Sequence, residues 1–271
     1  MLANHVQSAI RVRRRILPDV LRHVSPPLAS AYLKLMRAQE HLDPLVAEIR
    51  RFEMSRQYHI VRQTDEDAGE HLAFAVIDSQ PGDQFYGPLG DVVHNLHGVL
   101  DHAVFGLSEY FSGGRLTDRE ARSVAFPVHT DPAKWDVFVR DGMRAIRFLP
   151  EPYRQIVESE QPCRGTNDFI RTNHPLHVLH SLWNTDKHRR IPLIAAFAQV
   201  MTDVIRVPIS RVRSKDDLHP VISVEISLQE CGPTRSSTGT RRPIGGFAEY
   251  MHNTVFEVLA GFQDLLGRGV T

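Results

Sequence analysis

Residues 90–110 place their apolar side chains at the spacing of an α-helix, and this pattern most constrains the fold. At about 100° per residue the apolar positions cover one half of the helix. They are Val92, Val93, Leu96, Val99, Leu100, Ala103, Val104 and Leu107. Residues 28–49 and 247–265 carry apolar residues at the same spacing. Three long helices that must each bury an apolar face predict a helical bundle.

Alternating apolar and polar residues predict β-strands between the long helices. Residues 58–64 and 71–78 flank a polar turn and form a first hairpin pattern. Residues 204–209 and 221–228 form a second hairpin pattern with a charged connection. The predicted fold class is therefore α+β, a predominantly helical bundle with a small antiparallel sheet made from two hairpins.

Prolines mark the other boundaries. Residues 1–25 include four arginines within five positions and end at Pro26-Pro27, a pair that cannot lie inside a helix. We expect a basic N-terminal arm over residues 1–25 and a single α+β domain over residues 26–271. Prolines near a first helical turn predict two short helices, one after Asp131 and one after Pro150.

Composition narrows the functional class. The chain has 32 basic and 32 acidic residues, so no overall field attracts nucleic acid or an anionic membrane. Two cysteines, Cys163 and Cys231, are too few for a disulfide framework and fit a reducing compartment. No stretch is long and apolar enough for a membrane span, and no signal peptide is recognisable. We expect a cytoplasmic protein without a membrane or disulfide-linked partner.

The polar half of the helix at residues 90–110 is unusual. It carries Asp91, His94, Asn95, Gly98, Asp101 and His102, with His97 on the flank. These residue types are poor helix formers, whereas a solvated face more often uses Glu, Lys, Gln or Arg. Three interpretations stay open: a solvated face, a buried polar network, or a functional site in which histidine transfers protons.

A second polar segment follows at residues 183–189, on a helix expected to start near Asn173 and end before Pro192. Asp186 falls within the apolar arc of this helix, and a buried carboxylate needs a partner. Arg190, four residues later, gives a local ion pair. The alternative is a contact with His94 or His102 of the first polar helix. His188, in the last turn, is a further candidate site residue.

Five pieces of the chain carry a resemblance to a known family. They are residues 37–42, 90–96, 100–102, 126–128 and 184–189. They resemble a family of bacterial proteins, common in actinobacteria, with a Gly-Asp-x-x-His-Asn-Leu-Arg-x-x-Leu-Asp-His helix and a later Asn-x-Asp-Lys-His-Arg. The resemblance covers residues 28–195 and implies no activity of its own. His97 stands where the family has its arginine.

With that arginine, the family motif is similar to the Arg-x(4–6)-His signature of HEPN-type helical ribonucleases. This similarity implies RNA cleavage without metal or cofactor, usually across a homodimer, with histidine moving the proton and arginine stabilising the phosphorane. The corresponding pair here is His97 and His102. We therefore expect His102, His97 and Asp101 to carry the chemistry, and Asn95, His94 and Asp186 to orient them.

Two other functions remain open from the residues alone. One is a non-catalytic interaction protein whose His, Asp and Asn side chains form a structural polar network. The other is a metal-dependent hydrolase, because His174, His177 and His180 recur every three residues on the second polar helix.

Overall fold

The computed structural model describes residues 24–55, 58–188, 191, 193–197, 204–208, 224–228 and 242–270. Its contacts group into two compact units. The first contains the described parts of Met1–His41, Gly90–His188 and Glu249–Thr271, and the second those of Leu42–Leu89 and Arg189–Ala248. The basic arm lies almost entirely outside the described residues, and both the arm and the single domain stay predictions.

Helices dominate the described chain, which confirms the predicted α+β class. The long helices are α1 (Ala29–Met54), α2 (Asp83–Phe111), α7 (Pro175–Asp186) and α8 (Ile244–Gly267). The short ones are α3 (Asp118–Ala121), α4 (Pro132–Arg140), α5 (Glu151–Ser159) and α6 (Asp168–Thr172). Short 3₁₀ turns occupy Pro26–Leu28, Arg144–Ile146 and Pro162–Arg164. Both proline-initiated helices are confirmed, and Asp131 caps α4 by accepting a hydrogen bond from the backbone N–H of Ala133.

Helix α2 organises the first unit. Its eight predicted apolar residues are each at most 2% exposed, which confirms the predicted core face. Helix α1 runs antiparallel beside it, because Pro27 meets Gly106, Ser30 meets His102, Lys34 meets Gly98 and His41 meets Asp91. The sum of the two residue numbers in each pair stays within 132–133, as expected for two antiparallel segments in one fixed register.

Helix α7 packs on a neighbouring face of α2. Gly90, His97 and Asp101 lie within about 40° of one another in helical projection, whereas His102 lies about 140° from His97. The first three residues face α7 or the segment before α4, and His102 faces α1. The angle of a residue about the α2 axis therefore decides which neighbouring segment its side chain contacts.

The second unit contains the sheets. Strands β1 (Tyr58–Asp65) and β2 (Glu70–Ile77) form the predicted first hairpin, with Tyr58 opposite Ile77 and Asp65 opposite Glu70. The turn is closed by Asp65, which accepts a hydrogen bond from the Ala68 N–H, and by Gly69 at φ +67°.

The predicted second hairpin is wrong. Strand β4 (Val204–Pro208) pairs with β2, whereas β5 (Val224–Leu228) lies between β3 (Leu193–Phe197) and β6 (Arg242–Pro243). The described strands thus form two three-stranded antiparallel sheets instead of one. Alternation marks a strand but not its partner, and the sequence between β4 and β5 is much longer than a hairpin turn, so it does not force these strands to pair.

A pair of glutamates in the first unit gives a pH-dependent prediction. Burial, and repulsion from Glu257 of α8, raise the pKa of Glu160 at the end of α5. A carboxyl group whose pKa is raised on folding stabilises the protein below its unfolded pKa and loses that contribution as the pH rises. We expect Glu160→Gln to raise the melting temperature at about pH 8 but not below about pH 4, where both states hold the proton.

Thermal unfolding monitored by circular dichroism at several pH values measures this effect. Glu66→Gln, in the exposed β1–β2 turn, is the matched control and leaves the melting temperature unchanged. A Glu160→Gln variant that is less stable than the parent at pH 8 contradicts the prediction.

Candidate functional site

His97 and Trp183 form the centre of a polar cluster in the first unit. The His97 side chain is buried, with 5% of the residue exposed, and its ring stacks on Trp183 with centroids 3.6 Å apart and planes 7° apart. The Nζ of Lys187 lies 2.9 Å from the Trp183 ring centroid. The indole thus contacts both the His97 ring and the Lys187 ammonium group, which lies at cation–π distance.

Asp101, one helical turn after His97, lies against the same histidine. Its Oδ2 is 3.2 Å from His97 Nδ1, but this nitrogen has no hydrogen-bond partner among the described residues. Oδ1 accepts a hydrogen bond from the backbone N–H of Phe126 at 3.0 Å, which holds the carboxylate in place. On the far side of the ring, His97 Nε2 is 3.2 Å from Nδ1 of His180 on α7. The three side chains form an Asp101–His97–His180 array.

The charge of Asp101 favours one placement of the proton on the two ring nitrogens of His97. A neutral histidine has one N–H, and a bare Nδ1 on His97 would direct its lone pair at the Asp101 carboxylate. The favoured tautomer therefore has the proton on His97 Nδ1, so Nε2 accepts a hydrogen bond from His180 Nδ1. His180 is then left with its lone pair on Nε2, as a general base requires.

The surroundings of His180 favour its neutral form. Burial lowers its pKa below the usual value, and the neighbouring His97, His177 and Lys187 lower it further, while Asp101 acts in the opposite direction. A neutral imidazole next to a cation can accept a proton from a substrate and return it.

His174, which precedes α7, and His177, within α7, each contact a partner outside the Asp101–His97–His180 array. His174 caps the helix by accepting a hydrogen bond from the Leu176 N–H at 3.3 Å, and His177 Nδ1 lies 2.8 Å from the Thr130 hydroxyl. Within the residues that the structure describes, no three His, Cys, Asp or Glu side chains are placed to hold a metal ion. Nothing in the described residues favours the hydrolase that binds metal through His174, His177 and His180.

The predicted pair of His97 and His102 is not brought together. His102 is half-buried and points towards α1, where its Nδ1 lies 2.6 Å from the Ser30 hydroxyl. His94 is exposed, and the Asn95 amide donates a hydrogen bond to the backbone carbonyl of Asp91. The polar residues of α2 therefore fall into three groups. His97 and Asp101 belong to the polar cluster, His102 contacts Ser30 of α1, and His94 is exposed to solvent.

The prediction that Asp186 lies within the apolar core is wrong, because this residue is exposed in the last turn of α7, as is His188 after it. Its contact on α2 is with Gly90, where a Cβ would lie 2.9 Å from Oδ1. The missing side chain at Gly90 admits the carboxylate without burying it. Arg190, the alternative partner, lies outside the described residues.

Gln161 supports the site and gives no signal in the sequence. The residue is 1% exposed, and its amide donates hydrogen bonds to the carbonyls of Pro127 and Val157 at 2.9 Å each. Its Oε1 accepts a hydrogen bond from the His129 N–H at 3.0 Å. These bonds fasten the segment that presents the Phe126 N–H to Asp101. The sequence marked His180 and Trp183 as residues of the second polar helix, but it did not indicate that they contact His97.

The chain has no match among protein-family models, curated proteins or solved structures. Across the described residues, no helix combines the length and apolar character needed to cross a membrane. Cys163, the cysteine in the described part of the chain, is buried and free, and burial raises the pKa of its thiol.

Proposed function

We propose that the protein is a bacterial, cytoplasmic, metal-independent ribonuclease in which His180 is the general base. The Asp101–His97–His180 array carries this proposal, because His180 Nε2 has no hydrogen-bond partner among the described residues and Lys187 is close enough to lower the His180 pKa. The choice of RNA as substrate and of a homodimer as the active form rests on the sequence resemblance alone, in which the family motif, with an arginine at the position of His97, is similar to the HEPN signature.

Cleavage then proceeds by transesterification. Nε2 of His180 takes the proton of a ribose 2′-hydroxyl, and the 2′-oxygen attacks the adjacent phosphorus. The ammonium group of Lys187 stabilises the negative charge of the phosphorane. The bond from phosphorus to the 5′-oxygen breaks, and this oxygen takes the proton back from His180. The products are a 2′,3′-cyclic phosphate and a free 5′-hydroxyl.

His97 and Asp101 are positioning residues in this mechanism. His97 is too buried to reach RNA, and its role is to orient the His180 ring through their shared hydrogen bond. Asp101 favours the Nδ1-protonated tautomer of His97 through its charge at 3.2 Å, without a hydrogen bond between the two described side chains.

Cleavage of a short RNA in the presence of EDTA tests the proposal. We expect the parent to cleave and His180→Gln to lose about 10²–10⁴-fold in kcat, the usual contribution of a general base. Ser181→Ala, an exposed neighbour on α7, is the matched control and keeps the parent rate. Absence of cleavage by the parent, or full activity of His180→Gln in a folded sample, overturns the proposal.

The pH profile tests the positioning role separately. Because Asp101 raises the pKa of His180, Asp101→Asn lowers that pKa and moves the rising limb of kcat/KM to lower pH. A profile that keeps its position while the rate falls contradicts the array and leaves Asp101 with a structural role only.

One observation favours a second candidate function, a non-catalytic interaction protein with a structural polar network. His97 is stacked and almost fully buried, as a residue that fixes the packing of α2 on α7 would be. In that case the parent does not cleave RNA, and His180→Gln lowers the stability of the fold.

A further inference from the structure

A second pair of reactive side chains lies where α1 packs along another face of α2. The Ser30 hydroxyl is exposed on the first turn of α1, and its Oγ is 2.6 Å from Nδ1 of the half-buried His102. A serine near a helix start commonly bonds the backbone of its own helix. Here the antiparallel register directs the hydroxyl to a histidine 72 positions away instead.

The charges around His102 keep its ring available as a base. Burial lowers the pKa of His102, the nearby Lys34 lowers it further, and Asp101 acts in the opposite direction. The Lys34 side chain lies along α2 at Gly98, where a Cβ would meet its Cδ at 3.6 Å. The lysine therefore stays close to the pair, and a neutral His102 can accept the serine proton.

We propose that Ser30 and His102 form a nucleophile and base pair that hydrolyses small carboxylic esters, with Lys34 as the oxyanion-stabilising cation. A serine hydroxyl within hydrogen-bonding distance of a neutral histidine is the arrangement that activates this nucleophile. The inference is independent of the ribonuclease site, because it uses a different histidine on a different face of α2.

The reaction balances with water as the second substrate. His102 Nδ1 takes the Ser30 proton as Oγ attacks the ester carbonyl, and Lys34 stabilises the tetrahedral oxyanion. The alcohol leaves with the proton from His102 and an acyl-serine remains. Water then attacks the acyl group, its proton passes to His102, and the carboxylic acid departs as the proton returns to Ser30.

Labelling with a fluorophosphonate and hydrolysis of p-nitrophenyl acetate test the pair on the full chain. We expect the reagent to modify Ser30, identified by peptide mass spectrometry, and Ser30→Ala to remove the label. His102→Gln lowers the labelling rate by about 100-fold or more, in line with the loss of an adjacent general base. Ser181→Ala, the control at an exposed serine on α7, is labelled and hydrolyses ester as the parent does.

Lys34→Met gives a readout that a merely structural serine would not change. Since Lys34 lowers the pKa of His102, its removal raises that pKa and moves the pH dependence of labelling to higher pH.

Equal labelling of Ser30 and Ser181, or a label that persists in Ser30→Ala, overturns the proposal. Circular dichroism shows whether His102→Gln is folded. If this variant is unfolded, the loss or persistence of the label in Ser30→Ala still tests the proposal. RNA cleavage by Ser30→Ala at the parent rate separates this site from the ribonuclease proposal.

Discussion

Gly106→Ala is expected to destabilise the protein by about 3 kcal/mol, the upper range for overpacking a closely packed site. A Cβ at this position of α2 would lie 1.9 Å from the backbone carbonyl oxygen of Pro27. Backbone cannot rotate away as a side chain can, so the α1–α2 register itself would have to shift. The helix propensity of alanine returns at most about 1 kcal/mol. Urea unfolding monitored by circular dichroism measures the change.

Gly98→Ala is the matched control on the same helix. Its Cβ would meet the Lys34 side chain at 3.6 Å, an ordinary van der Waals distance. We expect this variant to be as stable as the parent or more stable by up to about 1 kcal/mol. Equal stability of Gly106→Ala and Gly98→Ala would show that Pro27 does not approach α2 as described.

Gln161→Leu is expected to cost about 3 kcal/mol or more, because it leaves buried backbone groups without partners. The two side chains are similar in volume, so the substitution tests hydrogen bonding and not cavity formation. The carbonyls of Pro127 and Val157 and the His129 N–H would each lose a bond. The segment that presents the Phe126 N–H to Asp101 would loosen with them, so RNA cleavage falls as well.

Urea unfolding monitored by tryptophan fluorescence reports this change, since Trp135 packs against His129 with ring centroids 5.8 Å apart. Gln155→Leu is the control on α5, where the glutamine is exposed and bonds the Glu151 side chain at 3.3 Å. Surface substitutions of this kind change stability by about 0.5 kcal/mol or less. If Gln161→Leu unfolds at the same urea concentration as Gln155→Leu, the buried amide does not hold the segment.

The helices and the first hairpin could be predicted from sequence because their signals are local. The apolar period of α2, the prolines that open α4 and α5, and the polar turn after Asp65 each act within a few residues. The pairing of β4 and β5 could not be predicted in this way. Strand alternation fits several partners, and the choice depends on contacts between residues far apart in the chain.

The candidate site likewise has features that local sequence predicts and features that depend on contacts between distant residues. The sequence by itself determined that α2 has an apolar half and that histidines and carboxylates gather on its other half and on α7. Only the tertiary structure decided that His97 meets His180 and Trp183, that His102 meets Ser30, and that Asp186 stays at the surface beside Gly90. The physical reason is that helical periodicity fixes the direction of a side chain about its own axis. The register between helices is set by packing, for example at Gly106, where the absence of a side chain lets the Pro27 carbonyl oxygen approach α2.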